Sequence, residues 1–372
     1  MLPVSLALAV LALALGLVAP GEVARLLDWG VLSLFLVLIV AVECAKHSSL
    51  YEWLVHRVLS RVRTERGLAV AAVLCTGLLA ACVTNDVALL LVVPFTFAFE
   101  SADPRLDPAP VVVLEIQAAN LIGCLTPAGN PQNLFLYARG AFTARSFFAA
   151  QVPWVAGMTA ATLLLVPLLL PKRRLAPPPE ARIAVDPLLA GLSMALLALE
   201  FLAIFDLLPP VVPVLAALPP LVLLRRKVRL GDFTLVAVFA CLFIGIEGLR
   251  RSAPFRALDP IGLLSPTAAP WSFVVAGALL SQAASNVPTA ILLAPSAAEA
   301  GGGALFTALL YGVNAGGCGT PVASLANLIG GGLYFRGRSP RRRAFWPLFL
   351  VVSFALLAVA IALSLALLPL VG

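Results

Sequence analysis

Charged side chains are scarce in this sequence. Only 12% of its 372 residues are Asp, Glu, Lys or Arg, and 61% are hydrophobic, whereas a soluble domain carries about 25% charged residues. The apolar residues occur in long runs separated by short polar segments. Because a bilayer crossing takes about 20 apolar residues, this pattern is typical of a chain that crosses a membrane many times.

Motifs of catalysis and ATP hydrolysis are also lacking. The sequence has two histidines, His47 and His56, and contains no HExxH, GxSxG or Walker A sequence. An enzyme is therefore a remote alternative, and we expect no cofactor, no metal site and no direct use of ATP. The six cysteines lie in apolar segments and none is at CxxC spacing, so disulfides are not expected either.

The net charge of +7 is distributed among short loops between the apolar runs. Such a distribution predicts membrane orientation, not a nucleic-acid partner. Nineteen of the 25 Lys and Arg residues lie in segments 46–66, 100–109, 171–185, 225–232 and 335–343, which we place in the cytoplasm of a bacterial-type inner membrane. The opposite side keeps a basic cluster at 250–256, which is either an anion-attracting vestibule or a tolerated loop.

The spacing of the runs predicts an all-α polytopic membrane protein with two inverted repeats. Each repeat has a re-entrant (or short) helix hairpin and a discontinuous transmembrane helix. The predicted parts are an N-terminal helix and loop (1–28, with the helix at about 2–19), repeat 1 (29–170, with its hairpin at about 67–100 and its broken helix at about 110–138), a linker (171–185), and repeat 2 (186–372, with its hairpin at about 269–297 and its broken helix at about 304–334).

Internal matches of polar residues indicate the duplication. Thr84-Asn85 aligns with Ser285-Asn286 at an offset of 201 residues, which also pairs Pro94 with Pro295. An offset of 194 residues aligns Thr126-Pro127 with Thr320-Pro321, and it pairs Asn120 with Asn314, Cys124 with Cys318, and Asn133 with Asn327. The basic loops place the start of the two hairpins on opposite sides, so the halves are predicted to be inverted.

Pro and Gly interrupt two of the apolar runs at matched positions. A helix can break at membrane depth only where it lines protein or water. The first half-helix then ends in free carbonyls that suit cations, and the second begins with free N–H groups that suit anions. We therefore predict a small-ion site at Thr84, Asn85, Asp86, Thr126, Pro127, Gly129, Asn130, Ser285, Asn286, Thr320, Pro321 and Ser324, supported by Asn120, Asn133, Asn314, Asn327, Cys124 and Cys318.

Three features of this predicted site leave alternatives open. Asp86 is matched by Val287, and an intramembrane carboxylate is functional by default, so it is a candidate proton carrier, a cap of the following half-helix, or both. The matched cysteines either pack the broken helices or bind a soft substrate such as arsenite. Asn120 and Asn314 either bond across helices or contact the substrate. No basic residue is predicted at either half of the site.

The hairpin tips Thr84-Asn85-Asp86 and Ser285-Asn286-Val287 resemble those of the divalent anion/sodium symporters. Segments 125–133 and 318–325 resemble those of the arsenite permeases and citrate-permease-like proteins, all in one ion transporter superfamily. This resemblance implies a transport domain moving against a scaffold domain, coupled to Na⁺ or H⁺. The Val-Pro in the second tip departs from the symporter pattern.

The function predicted is a secondary anion permease that moves a small anion or oxyanion with Na⁺ or H⁺ by alternating access. A cation/proton antiporter on the same fold is the alternative. The expected partners are the small-ion substrate and the lipid bilayer, with a homodimer left open.

Overall fold

The computed structural model describes residues 2–176, 178, 182–225, 233–257, 269–337 and 342–370. Over these ranges the protein is an all-α polytopic membrane protein without strands; a single isolated bridge pairs Thr64 with Arg174. Parts of the predicted basic segments, at 177, 179–181, 226–232 and 338–341, lie outside the described residues.

Seven helices of the described chain are long and apolar enough to cross a membrane. They are Trp29–Ser48, Glu65–Cys82, Asn85–Ala102, Pro108–Leu125, Ala144–Leu169, Pro187–Ile204 and Ala344–Leu370. Four shorter apolar helices accompany them, at Leu2–Ala14, Val211–Leu223, Pro270–Ala284 and Ala304–Ala315.

The α-helices are numbered here in chain order. They are α1 (Leu2–Ala14), α2 (Val23–Leu26), α3 (Trp29–Ser48), α4 (Leu50–Leu59), α5 (Glu65–Cys82), α6 (Asn85–Ala102), α7 (Pro108–Leu121), α8 (Pro131–Leu136), α9 (Ala144–Leu169), α10 (Pro187–Ile204), α11 (Val211–Leu223), α12 (Thr234–Arg251), α13 (Ala253–Ala257), α14 (Pro270–Ala284), α15 (Asn286–Glu299), α16 (Ala304–Ala315), α17 (Leu325–Arg336) and α18 (Arg342–Leu367).

Two expectations about helix ends were wrong. The first helix was predicted to run to Ala19, but α1 ends at Ala14 because Gly16 takes a left-handed conformation with φ of 67°. The basic stretch 46–66, treated as a loop, is helical up to Leu59 because α3 extends to Ser48 and α4 follows at once. Lys46 therefore sits on a transmembrane helix.

Both hairpins consist of two helices joined by one or two residues. Val83 and Thr84 join α5 to α6, and Ser285 joins α14 to α15. The Thr64 hydroxyl starts α5 by accepting from the Gly67 N–H at 3.1 Å, which satisfies one of the free donors of a helix N-terminus. The tips fall where the matched Thr-Asn and Ser-Asn pairs stand in the sequence.

The broken helices run through the middle of the protein. Every residue of α7 is buried, and α16 is buried from Leu305 to Ala315. After α7 the chain forms two short 3₁₀ turns, Gly123–Leu125 and Pro127–Gly129, before α8 begins. After α16 it forms one 3₁₀ turn, Pro321–Ala323, before α17. A buried helix can be interrupted here because protein surrounds the exposed backbone.

The hydrophobic interior falls into two clusters. The larger contains the hairpins and broken helices of both halves. The smaller consists of residues of α3 between 37 and 45, residues of α10 and α11, Tyr51, Leu224, and Val83, Val87 and Leu91 from the first hairpin. The first hairpin tip therefore lies at the boundary between the two clusters.

Basic segments predicted to share one side of the membrane contact one another. Arg173 pairs with Glu65 at 2.9 Å and donates to the carbonyl of Arg105 at 2.7 Å. The Leu175 N–H donates to the Arg63 carbonyl at 3.0 Å. Segments 46–66, 100–109 and 171–185 thus meet on one face of the molecule.

The basic cluster at 250–256 lies among carboxylates. Arg251 pairs with Glu247 at 2.8 Å and with Glu22 at 2.9 Å, and Arg250 lies 3.4 Å from Glu299. The Ala19 N–H and the Arg251 guanidinium, both bonded to the Glu22 carboxylate, lower its pKa. The two arginines tie α12 to the loop after α1 and to the end of α15.

Candidate functional site

A cavity of about 390 Å³ lies where the two hairpin tips meet. It is lined by residues of both halves of the chain, including the starts of α6, α15 and α17. Six of the predicted site residues line it, namely Thr84, Asn85, Asp86, Ser285, Asn286 and Ser324. Gln132 and Pro131, directly after the first break, line it as well.

The other six predicted site residues stand in or beside the breaks and do not belong to the cavity lining. They are Thr126, Pro127, Gly129, Asn130, Thr320 and Pro321. The two threonines make equivalent contacts. The Thr126 hydroxyl donates to the carbonyl of Ala81, and that of Thr320 donates to the carbonyl of Gln282 at 2.8 Å. Ala81 and Gln282 are 201 residues apart, which is the offset that aligns the two hairpins. The two halves therefore use equivalent hydrogen bonds to join the break to the hairpin.

The matched residues Asn133 and Asn327 close the two breaks. Asn133 donates to the carbonyl of Cys124 at 3.0 Å. Asn327 donates to the carbonyls of Gly317 and Thr320, both at 3.0 Å. Each amide therefore reaches back from the helix after a break to backbone carbonyls of the break itself.

The two broken helices are also bonded to each other by buried amides. Asn120 donates to Asn327 at 2.7 Å and accepts from the Ser324 hydroxyl at 2.8 Å. Gln132 donates to Asn314 at 3.2 Å. The helix before each break thus contacts the helix after the other break. The geometry places Asn120 and Asn314 in cross-helix bonds.

The tip asparagines lie against matched glycines. If Gly123 carried a Cβ atom, that atom would lie 3.2 Å from the Asn85 amide, and a Cβ atom on Gly317 would lie 3.4 Å from the Asn286 amide nitrogen. The glycines therefore allow the two asparagines to approach the breaks closely. With its nitrogen assigned toward the first break, Asn85 lies 2.8 Å from the Gly129 carbonyl. Both asparagines are buried yet line the cavity, so they connect it to the breaks.

The tips differ in their backbone and in their charge. Ser285 has φ of 72° and ψ of 153°, a region that glycine favours, and such strain occurs at functional sites. Thr84 is extended. Asp86 lies in the first turn of α6, one residue past its start, where the positive end of the helix dipole favours a carboxylate. No side-chain cap bond is formed by Thr84 or Ser285 at its helix.

Two charged residues of α3, absent from the predicted site, also line the cavity. Lys46 and Glu43 form an ion pair with Nζ and Oε1 2.5 Å apart, one helical turn from each other. The expectation that no basic residue lies at the site was wrong, because Lys46 was assigned to a loop. A charged pair at i and i+3 inside an apolar run was the signal that could have revealed it.

Gln282 is a second residue that the sequence comparison missed. Its side chain forms two hydrogen bonds with the backbone of the second break. The amide nitrogen donates to the Cys318 carbonyl at 3.0 Å, and the amide oxygen accepts from the Thr320 N–H at 2.8 Å. Its repeat mate is Ala81, so a search for matched polar residues could not find it.

The matched thiols are buried and stand apart from the cavity lining. Cys124 donates to the carbonyl of Leu121 at 2.9 Å, and both Cys124 and Cys318 are free and fully buried. Within the described ranges, no group of three His, Cys, Asp or Glu side chains is arranged to hold a metal.

Comparisons with known proteins give the same picture of a membrane transporter. A profile described as "Citrate transporter" matches residues 2–305. Inner membrane protein YbiR of Escherichia coli is 32% identical over 321 residues, covering 84% of this chain and 81% of the relative. The uncharacterized transporter MJ0456 of Methanocaldococcus jannaschii is 26% identical over 336 residues, covering 87% and 86%. The chain therefore belongs to the citrate transporter family of multi-pass membrane transporters.

Proposed function

We propose that this protein is a secondary transporter that moves a small anion or oxyanion together with Na⁺ or H⁺ by alternating access, without catalysing a reaction. The observation that carries this proposal is the cavity at the paired tips. Polar residues from the two duplicated halves meet there around a space of about 390 Å³, as in transporters whose substrate site lies at the interface of internal repeats.

Helix starts around the cavity favour an anion. The helices α6, α15 and α17 all begin at residues of the lining, so the positive ends of three helix dipoles are directed to one region. A substrate oxygen there would meet N–H groups that the cap residues of α6 and α15 do not bond through their side chains.

The charge of the lining supports coupling to a cation. Among the described lining residues, two carboxylates (Glu43 and Asp86) stand against one ammonium (Lys46). An anion entering alone would face an excess negative charge in a region of low dielectric, where repulsion between charges is strong. A sodium ion or a proton that arrives with the anion removes this excess.

The same excess of carboxylates favours the second candidate, a cation/proton antiporter. In that case Asp86 and Glu43 would bind the cation directly, and the cavity would accept no anion. The ammonium of Lys46 and the three helix N-termini favour binding of an anion. The two mechanisms can be distinguished by which solute binds to the cavity.

We further infer that the cavity opens to the cytoplasm. Its lining includes Leu2 at the start of α1, Lys46 near the end of α3 and Thr234 at the start of α12. Lys46 is the first residue of segment 46–66, and Thr234 lies just after segment 225–232, both of which the Lys and Arg distribution predicts to be cytoplasmic. The contacts among 46–66, 100–109 and 171–185 support a shared side for these segments.

The test is a thermal-unfolding screen of the purified protein against sodium, pH, citrate, dicarboxylates, sulfate, phosphate and arsenite. A ligand at about 100 times its Kd stabilises the folded state by roughly 2.7 kcal/mol. We expect one anion to raise Tm, more strongly with sodium or at low pH. We expect Asn85→Ala and Asn286→Ala to abolish that shift, and Ser101→Ala, at the far end of α6, to preserve it.

Two outcomes would contradict the proposal. If sodium or pH alone shifts Tm and none of the anions does, the antiporter is the better assignment. If Asn85→Ala and Asn286→Ala respond like wild type, the paired tips are not the site. In a transport assay, Asp86→Asn should remove the dependence on pH if Asp86 carries the proton, and an unchanged pH profile would exclude that role.

A further inference from the structure

Lys46 has an unusual position for a lysine of a transmembrane helix. It lies two residues before the end of α3 and its side chain is 34% exposed, so it is neither in bulk water nor sealed in the core. Among the described residues that line the cavity it is the single basic one. A lysine near the end of a transmembrane helix can extend to the membrane surface, but this one lines the cavity instead, which makes it a candidate for the ion pathway.

The ammonium of Lys46 is held by a carboxylate that is itself nearly buried. Glu43 has a side chain only 8% exposed, with Oε1 2.5 Å from Lys46 and Oε2 3.9 Å from Nε2 of His47. An ammonium has three donors, and Glu43 accepts one of them. Lys46 is thus fixed toward the cavity with donors left for a second acceptor.

The cavity also brings Lys46 to the first hairpin tip. Asp86 and Asn85 line the same space as Lys46. An anion bound by Lys46 would therefore lie beside the tip asparagines and the start of α6.

We propose that Lys46 is the anion-recognising residue of the cavity, and that Glu43 is its resident counter-ion. The ammonium binds a carboxylate or oxyanion oxygen of the substrate, and in the empty cavity Glu43 keeps it paired and oriented. This inference rests on the proposed function, since it requires an anionic cargo. It assigns the charge recognition to α3, outside both duplicated hairpins.

The pair makes opposite predictions for its two members. Removing the charge of Lys46 takes away the attraction for the anion. Removing the charge of Glu43 takes away a competitor for the ammonium and one negative charge from the lining. A pair that only stabilises the helix would give equal losses of stability for both variants and no opposite effects on affinity.

The experiment measures binding of radiolabelled citrate, with succinate, phosphate and sulfate as competitors, to the full chain in lipid nanodiscs. We expect Lys46→Gln to weaken binding of the recognised anion at least tenfold, Lys46→Arg to keep most of it, and Glu43→Gln to strengthen it. Lys172→Gln is the matched control, because Lys172 is exposed in the segment after α9 and outside the cavity. Tm and size-exclusion profiles establish that each variant is folded.

The outcomes separate this inference from the proposed function. If wild type binds none of the anions, the proposed function fails and the role of Lys46 with it. If wild type binds an anion and Lys46→Gln binds it equally well, or if Glu43→Gln weakens binding as much as Lys46→Gln, the role of Lys46 alone is overturned. If Lys46→Gln fails to fold, the comparison of Lys46→Arg with Glu43→Gln decides the matter in the same way.

Discussion

Replacing the two matched asparagines after the breaks should have unequal effects on stability. Asn133 and Asn327 occupy the same place in the duplicated sequence and both are fully buried. Asn133 donates one hydrogen bond, to Cys124. Asn327 takes part in three, two as donor to Gly317 and Thr320 and one as acceptor from Asn120.

The magnitude follows from the number of bonds. A buried hydrogen bond contributes about 1 kcal/mol net, and partners left unsatisfied cost about 1–3 kcal/mol each. Asn133→Ala should therefore cost about 1–2 kcal/mol and Asn327→Ala about 3–5 kcal/mol. For a chain of this size, 1 kcal/mol corresponds to roughly 2 °C in Tm, so Asn327→Ala should lower Tm by several degrees more than Asn133→Ala.

The assay is thermal unfolding of both variants in the same detergent, read as the difference between the two Tm values. A common background removes effects of the detergent on the absolute values. Asn327→Asp serves as a second variant, because a carboxylate of the same shape would face the carbonyls of Gly317 and Thr320 and should be at least as destabilising as alanine. Equal Tm values for Asn133→Ala and Asn327→Ala would refute the reasoning from bond number.

Three further predictions concern other parts of the molecule. Ser285→Gly should raise Tm relative to Ser285→Ala, because glycine relieves backbone strain of about 1–3 kcal/mol at φ of 72°; equal Tm values would contradict this. The Arg105 guanidinium holds the pKa of Asp103 well below its ordinary value, so that carboxylate stabilises the fold above about pH 4, and the contribution is lost as pH falls through the folded-state pKa. Asp103→Asn should flatten that part of the Tm–pH profile, and an unchanged profile would exclude the pair as its cause. Replacing Cys124 and Cys318 together by alanine should leave anion binding unchanged, since both thiols stand apart from the cavity lining, and a selective loss of arsenite binding would show that they contact substrate.

The sequence by itself was sufficient for the fold class and for the position of the tips and breaks. Long apolar runs can only be satisfied as helices in a bilayer, and Pro and Gly at matched positions interrupt two of them. Because Asn, Thr and Pro matches are rare in so apolar a chain, the duplication was visible without a structure. The matched residues Thr126 and Thr320 show what the duplication means for the structure, since each donates a hydrogen bond that joins a break to the hairpin of the same half.

Only the tertiary structure could decide which of these residues meet. Thr126, Asn130 and Thr320 are as polar as Asn85 and Ser324, yet their side chains donate to backbone carbonyls and do not line the cavity. Lys46 and Glu43 come from α3, far from either motif in sequence, and reach the cavity because α3 packs beside the first hairpin tip. Periodicity and internal matches describe contacts within a segment or between copies of it, whereas a cavity is formed by elements whose meeting depends on packing.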